Sequence, residues 1–100
     1  MRPKEGCRLP SIFSVGGYRV FFWSNELGKP VHAHVCKGTP GPHTTKIWIT
    51  RSGDCILANN QSNIPPKSLG ELMEIIAAQS GLICRKWKEF FAVDEPSFFC

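Results

Sequence analysis

Two periodicities divide the chain. As far as Ala58, apolar and polar positions alternate in short runs broken by Gly, Pro and Asn; beyond Pro66 the apolar positions recur at helical spacing. The clearest run is Val31-His32-Ala33-His34-Val35-Cys36. Read as a strand, it places Val31, Ala33 and Val35 on one face and His32, His34 and Cys36 on the other. Ile12 to Val15 and Tyr18 to Ser24 make two earlier strands. Gly16-Gly17 between them signals a two-residue hairpin, because both positions tolerate positive φ. In the second strand Arg19, Phe21 and Trp23 share one face, and Tyr18, Val20 and Phe22 the other. A strand apolar on both faces belongs inside its sheet. Asn25 to Pro30 is a loop, the histidine strand runs to about Lys37, and Gly38-Thr39-Pro40-Gly41-Pro42 is a turn. Thr44 to Thr50 then points Ile47 and Ile49 one way, Lys46 and Trp48 the other. Arg51 to Asp54 turns the chain into a short strand, Cys55 to Ala58.

The second half reads as helix after a polar loop, Asn59 to Asn63. Pro65-Pro66 precede the start, and Ser68 and Glu71 have capping-box spacing. Leu69, Leu72, Met73 and Ile76 form one stripe, Gly81 is placed to end the helix as a left-handed cap, and Trp87, Phe90 and Phe91 line a following helical segment. Strands first and helices after read as α+β: an antiparallel sheet of four to five strands, joined as a meander, with C-terminal helices packed on one face. Residues 1–9 form an irregular lead-in, 10–93 a single domain, and 94–100 a tail whose Phe98-Phe99 is placed to tuck against the body.

Composition narrows the classes. One hundred residues make one domain, and eleven aromatics allow a real core at that size. No apolar run approaches the ~18–20 residues of a membrane span, and the polar N-terminus carries no signal segment, so the expected compartment is the cytoplasm. A net charge of +4 admits an acidic partner without requiring one. Cys7, Cys36, Cys55, Cys84 and Cys100 are odd in number and widely spaced, with no Cys-x-x-Cys pair. That argues against a disulfide framework and against a structural zinc site.

The face bearing the histidines is the place to look for chemistry. His32 and His34 can point at one divalent metal ion, but Cys36 extends the row to about 13 Å at ~3.3 Å per residue, so the third ligand must come from elsewhere, Glu26 or His43. The same face could carry Arg19, Phe21 and Trp23, or Lys46 and Trp48, depending on register; cations for phosphates and rings for bases suit single-stranded RNA. A catalytic reading makes His32, His34 and Glu26 an acid–base set for RNA cleavage, with Arg19 or Lys37 on the phosphate. A structural reading has the imidazoles hydrogen-bonded to a carbonyl or to Glu26, with function in contact with a partner chain.

Gly16-Gly17-Tyr18-Arg19, the run into Trp23-Ser24-Asn25-Glu26, Pro30, His32-x-His34-Val35, Lys37-Gly38, and later Leu72, Ile75-Ile76 and Trp87-Lys88-Glu89-Phe90 together resemble the small prokaryotic proteins of domain-of-unknown-function family 4160. The resemblance spans roughly residues 10–91. It implies a compact bacterial or archaeal α+β protein without an assigned activity, often encoded beside another small protein, for which a toxin–antitoxin role has been proposed. Asn25, Glu26, His32 and His34 match the family's positions. Two features depart from it: Val31 stands between Pro30 and the first histidine, and Cys36 is not a fixed family cysteine. The expectation is a non-enzymatic binding module of a toxin–antitoxin-like or regulatory pair. Its nucleic-acid-binding residues are Arg19, Trp23, Lys37, Lys46 and Trp48, and its partner is RNA, a small protein or a second copy. The rival is a metal-dependent or acid–base ribonuclease centred on His32 and His34 with Glu26.

Overall fold

A computed structural model describes residues 11–38 and 41–100. The lead-in with Cys7, and Thr39-Pro40 of the Gly/Pro turn, lie outside those residues. Five antiparallel strands form one sheet in the order β1-β2-β3-β4-β5: β1 Ser11–Val15, β2 Tyr18–Phe21, β3 His32–Lys37, β4 Thr45–Ile49 and β5 Cys55–Asn60. Helices α1 (Pro66–Ala78) and α2 (Ser80–Phe91) follow, giving the expected α+β meander with helices last. The hairpin at Gly16-Gly17 forms with φ of +57° and +84°, so Val15 faces Tyr18 across a two-residue turn.

The core forms between one sheet face and the helices. Val20, Val31, Ala33, Val35, Ile47 and Ile49 meet Leu72, Ile76, Ile83 and Trp87, and Phe22 joins them from beyond the end of β2. Phe22 packs its ring 5.0 Å from Trp87 and 5.4 Å from Phe91, a cluster that closes the α2 side of the layer.

Several local readings are corrected. β2 ends at Phe21 rather than running to Ser24, because the chain leaves the sheet there and turns back at Glu26. β5 extends through Asn59 and Asn60, which the polar composition assigned to a loop. The Asn60 side chain accounts for this: its Oδ1 accepts from the Thr45 hydroxyl at 2.6 Å and the Ile64 amide at 3.0 Å, so a polar residue is tied to the neighbouring strand. A bulge at Ala58, opposite the Lys46/Ile47 step, brings Asn59 and Asn60 into register. The capping box does not form. α1 begins two residues earlier with Pro66 at its first position, where a missing N–H costs nothing, and Ser68 and Glu71 lie inside it. Gly81 caps nothing either: α1 ends at Ala78 with Gln79 as its C-cap, and Gly81 lies in the first turn of α2. The left-handed cap comes at Ala92 (φ +55°), after α2.

Candidate functional site

Strand register decides which side chains share the second face. Phe21 pairs with His34 and His34 with Lys46; Arg19 pairs with Cys36, and His32 with Trp48. Directly paired residues point to the same side of a sheet. Arg19, Phe21, His32, His34, Cys36, Lys46 and Trp48 therefore lie together, opposite the helical layer. The two alternatives left open by the sequence, Arg19 with its aromatics or Lys46 with Trp48, are both realised. Lys37 is the exception. It pairs with Tyr18 on the other parity, and its ammonium lies 5.6 Å from that ring.

The centre of this face is not open to water. His32 is fully buried and His34 is 7% exposed. Phe21 stacks on His34 with ring centroids 5.6 Å apart, and Trp23 meets the same imidazole edge-on. Trp48 and Trp87 flank His32 at 5.6 and 5.3 Å, the latter reaching it from α2. The rings project together from β3, but aromatic side chains and the loop after β2 close over them.

That loop delivers Glu26. After Phe22 the chain folds back so that Glu26 Oε1 accepts the Trp23 amide at 2.9 Å, three residues before it. The other oxygen, Oε2, then lies 2.8 Å from His32 Nε2 and 2.9 Å from His34 Nε2. The remaining ring nitrogens are also engaged. His32 Nδ1 donates to the Pro30 carbonyl at 2.8 Å, and His34 Nδ1 shares a 2.8 Å hydrogen bond with the Thr44 hydroxyl. Burial opposes charge on the Glu26 carboxylate. The hydrogen bonds and positive charge of His32 and His34 outweigh it and hold the carboxyl well below the usual carboxylate range.

Glu26, His32 and His34 are thus brought together, and their three ligand atoms lie within 4.8 Å of one another. His43 is exposed on the following loop, and Asn25 is exposed beside Glu26. The Cys36 thiol contacts the Gly38 carbonyl, and burial pushes its pKa up against the pull of Arg19. Arg19 spans the β1–β2 pair, its Nε donating to Ser11 Oγ at 2.6 Å. Lys46 lies over Trp48, its Nζ 4.2 Å from the ring centroid, and Phe99 from the C-terminal segment stacks on the same indole at 4.7 Å and 7°. Thr44, Trp87 and Phe99 are participants that sequence reasoning did not assign to the face. Nothing in local spacing ties a threonine ten residues on, or a helical indole, to a particular imidazole.

No curated protein and no solved structure matches the chain. Residues 17–88 match the family described as Domain of unknown function (DUF4160). Among the described residues, no helix is long and apolar enough to cross a membrane. The family match runs from the glycine hairpin to the last turn of α2 and contains Glu26, His32 and His34, so the chain belongs to that domain-of-unknown-function family.

Proposed function

We propose that the protein is a non-enzymatic binding module whose second sheet face holds single-stranded RNA. The observation that carries this reading is the division of that face. Arg19, Trp23, Lys46 and Trp48 are only half-buried and form its accessible part, while His32 and His34 are sealed beneath. A general acid or base must come within hydrogen-bond reach of the atom it serves. An imidazole buried beneath aromatic rings is poorly placed to reach the backbone of a polymer. Arg19 and Lys46 offer phosphate neutralisation and the half-buried Trp23 a ring for a base, while Trp48, stacked on Phe99, carries Lys46. The binding set is therefore Arg19, Trp23, Lys46 and Trp48, without Lys37.

Filter binding with a short labelled single-stranded RNA tests it. Affinity should fall with salt, with a log–log slope of about −0.7 per phosphate contacted. Arg19→Ala or Lys46→Ala should each weaken binding and flatten that slope by roughly one contact. Trp23→Ala should cost about 1–3 kcal/mol if a base stacks there. Unchanged binding in all three variants, or none by the wild-type protein at low salt, would reject the proposal.

A partner protein is the second reading, favoured by the edge strand β5, where Ile56 and Leu57 are exposed. An unpaired strand edge with apolar side chains suits addition of a strand from another chain, including a second copy or the other half of a regulatory pair. Light scattering of the purified protein, and of an Ile56→Lys variant, separates a dimer from a monomer.

A further inference from the structure

We infer that Glu26, His32 and His34 form a binding centre for one divalent transition-metal ion, Zn²⁺ foremost, which fastens the loop after β2 to the middle of the sheet. The site lies beneath the RNA face proposed above and does not depend on it. It also needs no cysteine, so the cysteine spacing that spoke against zinc does not bear on it.

The first argument is convergence. Glu26 Oε2 and the two Nε2 atoms come from a loop and from alternate positions of β3, yet all three lie within 4.8 Å of one another. Ligands of a tetrahedral zinc ion, each at about 2.0–2.1 Å, stand roughly 3.3 Å apart. The carboxylate oxygen is 2.8 and 2.9 Å from its two imidazole neighbours. To hold the ion, the carboxylate oxygen would draw back by about half an ångström while the two Nε2 atoms, within 4.8 Å of each other, close toward that spacing.

The second argument is the state of His32. Its Nδ1 faces the Pro30 carbonyl at 2.8 Å. A carbonyl only accepts, so Nδ1 carries a proton and Nε2 is the ring nitrogen turned toward Glu26. That atom is buried and has no aligned hydrogen-bond partner, although Oε2 stands 2.8 Å away. A buried polar atom left without an aligned partner is unfavourable. A metal ion held between the two atoms would take both as ligands.

The surroundings are those of a metal site. One ring nitrogen bound to a carbonyl, which orients the other toward the ion, is the usual support of a ligating histidine. For His34 the Thr44 hydroxyl does the same. It can donate to Nδ1 while Nε2–H points at Glu26, or accept from Nδ1–H once Nε2 gives its proton up. Metal entry therefore releases a proton and leaves Thr44 paired in either state. The Trp23 amide occupies Glu26 Oε1 and leaves Oε2 free to ligate. Two imidazole nitrogens and one carboxylate favour zinc and its transition-metal neighbours over magnesium or calcium, which take oxygen ligands. Three protein ligands leave one tetrahedral position for water or a small ligand.

The test uses the full chain, stripped with a chelator and titrated with Zn²⁺ by calorimetry. We expect one ion per chain, protons released into the buffer, and a higher melting temperature. Co²⁺ in its place should give the intense visible absorption of a tetrahedral site. Glu26→Gln and His34→Ala should abolish the stoichiometric isotherm, and Thr44→Val should weaken it by about 10–100-fold. His43→Ala, which alters an exposed histidine, should bind as the wild type does. Should the ligand variants fail to fold, the Co²⁺ spectrum and the Thr44→Val isotherm decide. No uptake of Zn²⁺ or Co²⁺ by the wild-type protein overturns the inference. Uptake that Thr44→Val and the ligand variants leave unchanged, or a His32 ring protonated at both nitrogens by ¹⁵N NMR with Zn²⁺ in excess, overturns it too.

Discussion

The two faces of this sheet are both buried, but by different physics. On the helical side Val31, Ala33 and Val35 join Ile76, Ile83 and Trp87 in one hydrophobic cluster. On the other side, from alternate residues of the same strand, His32 and His34 meet a carboxylate inside a shell of aromatic rings. The first face gains free energy from any well-shaped hydrocarbon. The second gains only when each polar atom is matched, and loses heavily when one is not. A face held together by such matching is narrowly specified by its neighbours. That is why the helical side reads as scaffold and the other as site.

Mutations can break this comparison, and the largest effect belongs to the apolar side. Trp87→Ala removes a side chain that touches Phe22, Phe91 and His32, and should cost about 3–5 kcal/mol in urea melts. Next is Glu26→Gln in metal-free protein. It keeps the shape but removes the charge between two imidazoles and should cost about 1–3 kcal/mol. Changing Glu26, His32 and His34 together to Leu, Leu and Phe asks whether the polar set serves stability at all. Stability equal to or above that of the wild type is expected, because a packed apolar trio carries no desolvation penalty. A large further loss would show instead that the polar set itself stabilises the fold.

Acid sharpens the comparison further. The Glu26 carboxyl is held below its ordinary value of 4.5 in the folded protein, so the unfolded chain takes up the proton first as pH falls. The stability contributed by Glu26 is therefore complete above about pH 4.5 and is lost progressively below it. Between pH 7 and pH 3 the gap in melting temperature between metal-free wild type and Glu26→Gln should narrow. A gap that widens would reverse the sign and refute the pairing. The smallest effect is at the end of α2. Ala92 holds a left-handed conformation that costs an L-residue about 1 kcal/mol, so Ala92→Gly should stabilise by roughly 0.5–1 kcal/mol without touching either face.

How much of this was legible depended on the range of the interactions. The period-two alternation of β3 announced both of its faces, because side-chain direction in a strand follows from position alone. The hairpin was legible for the same local reason: two adjacent glycines permit the two positive φ values that it needs. Boundaries failed where a long-range partner decided them. Asn60 is strand because Thr45 and Ile64 bind its side chain, and Ser68 is not a cap because Pro66 already starts the helix. The candidate site was half legible. Glu26 was named with the two histidines, but not that the chain would peel off after Phe21 and bury all three. Lys37 falls on the parity of Val31, Ala33 and Val35, so the alternation of β3 alone already put it off the histidine face, as its pairing with Tyr18 bears out. Thr44 and Trp87 were beyond sequence reasoning, since one comes from the loop before β4 and the other from the last helix.

The chain contains three tryptophans, and each has its ring within 6.2 Å, centroid to centroid, of one of the two imidazoles: Trp23 beside His34, Trp48 and Trp87 beside His32. Excited indole transfers an electron readily to a protonated imidazole and poorly to a neutral or ligated one. Emission of the unlabelled protein, followed in a simple spectrometer, should therefore respond when either imidazole gains or loses a proton.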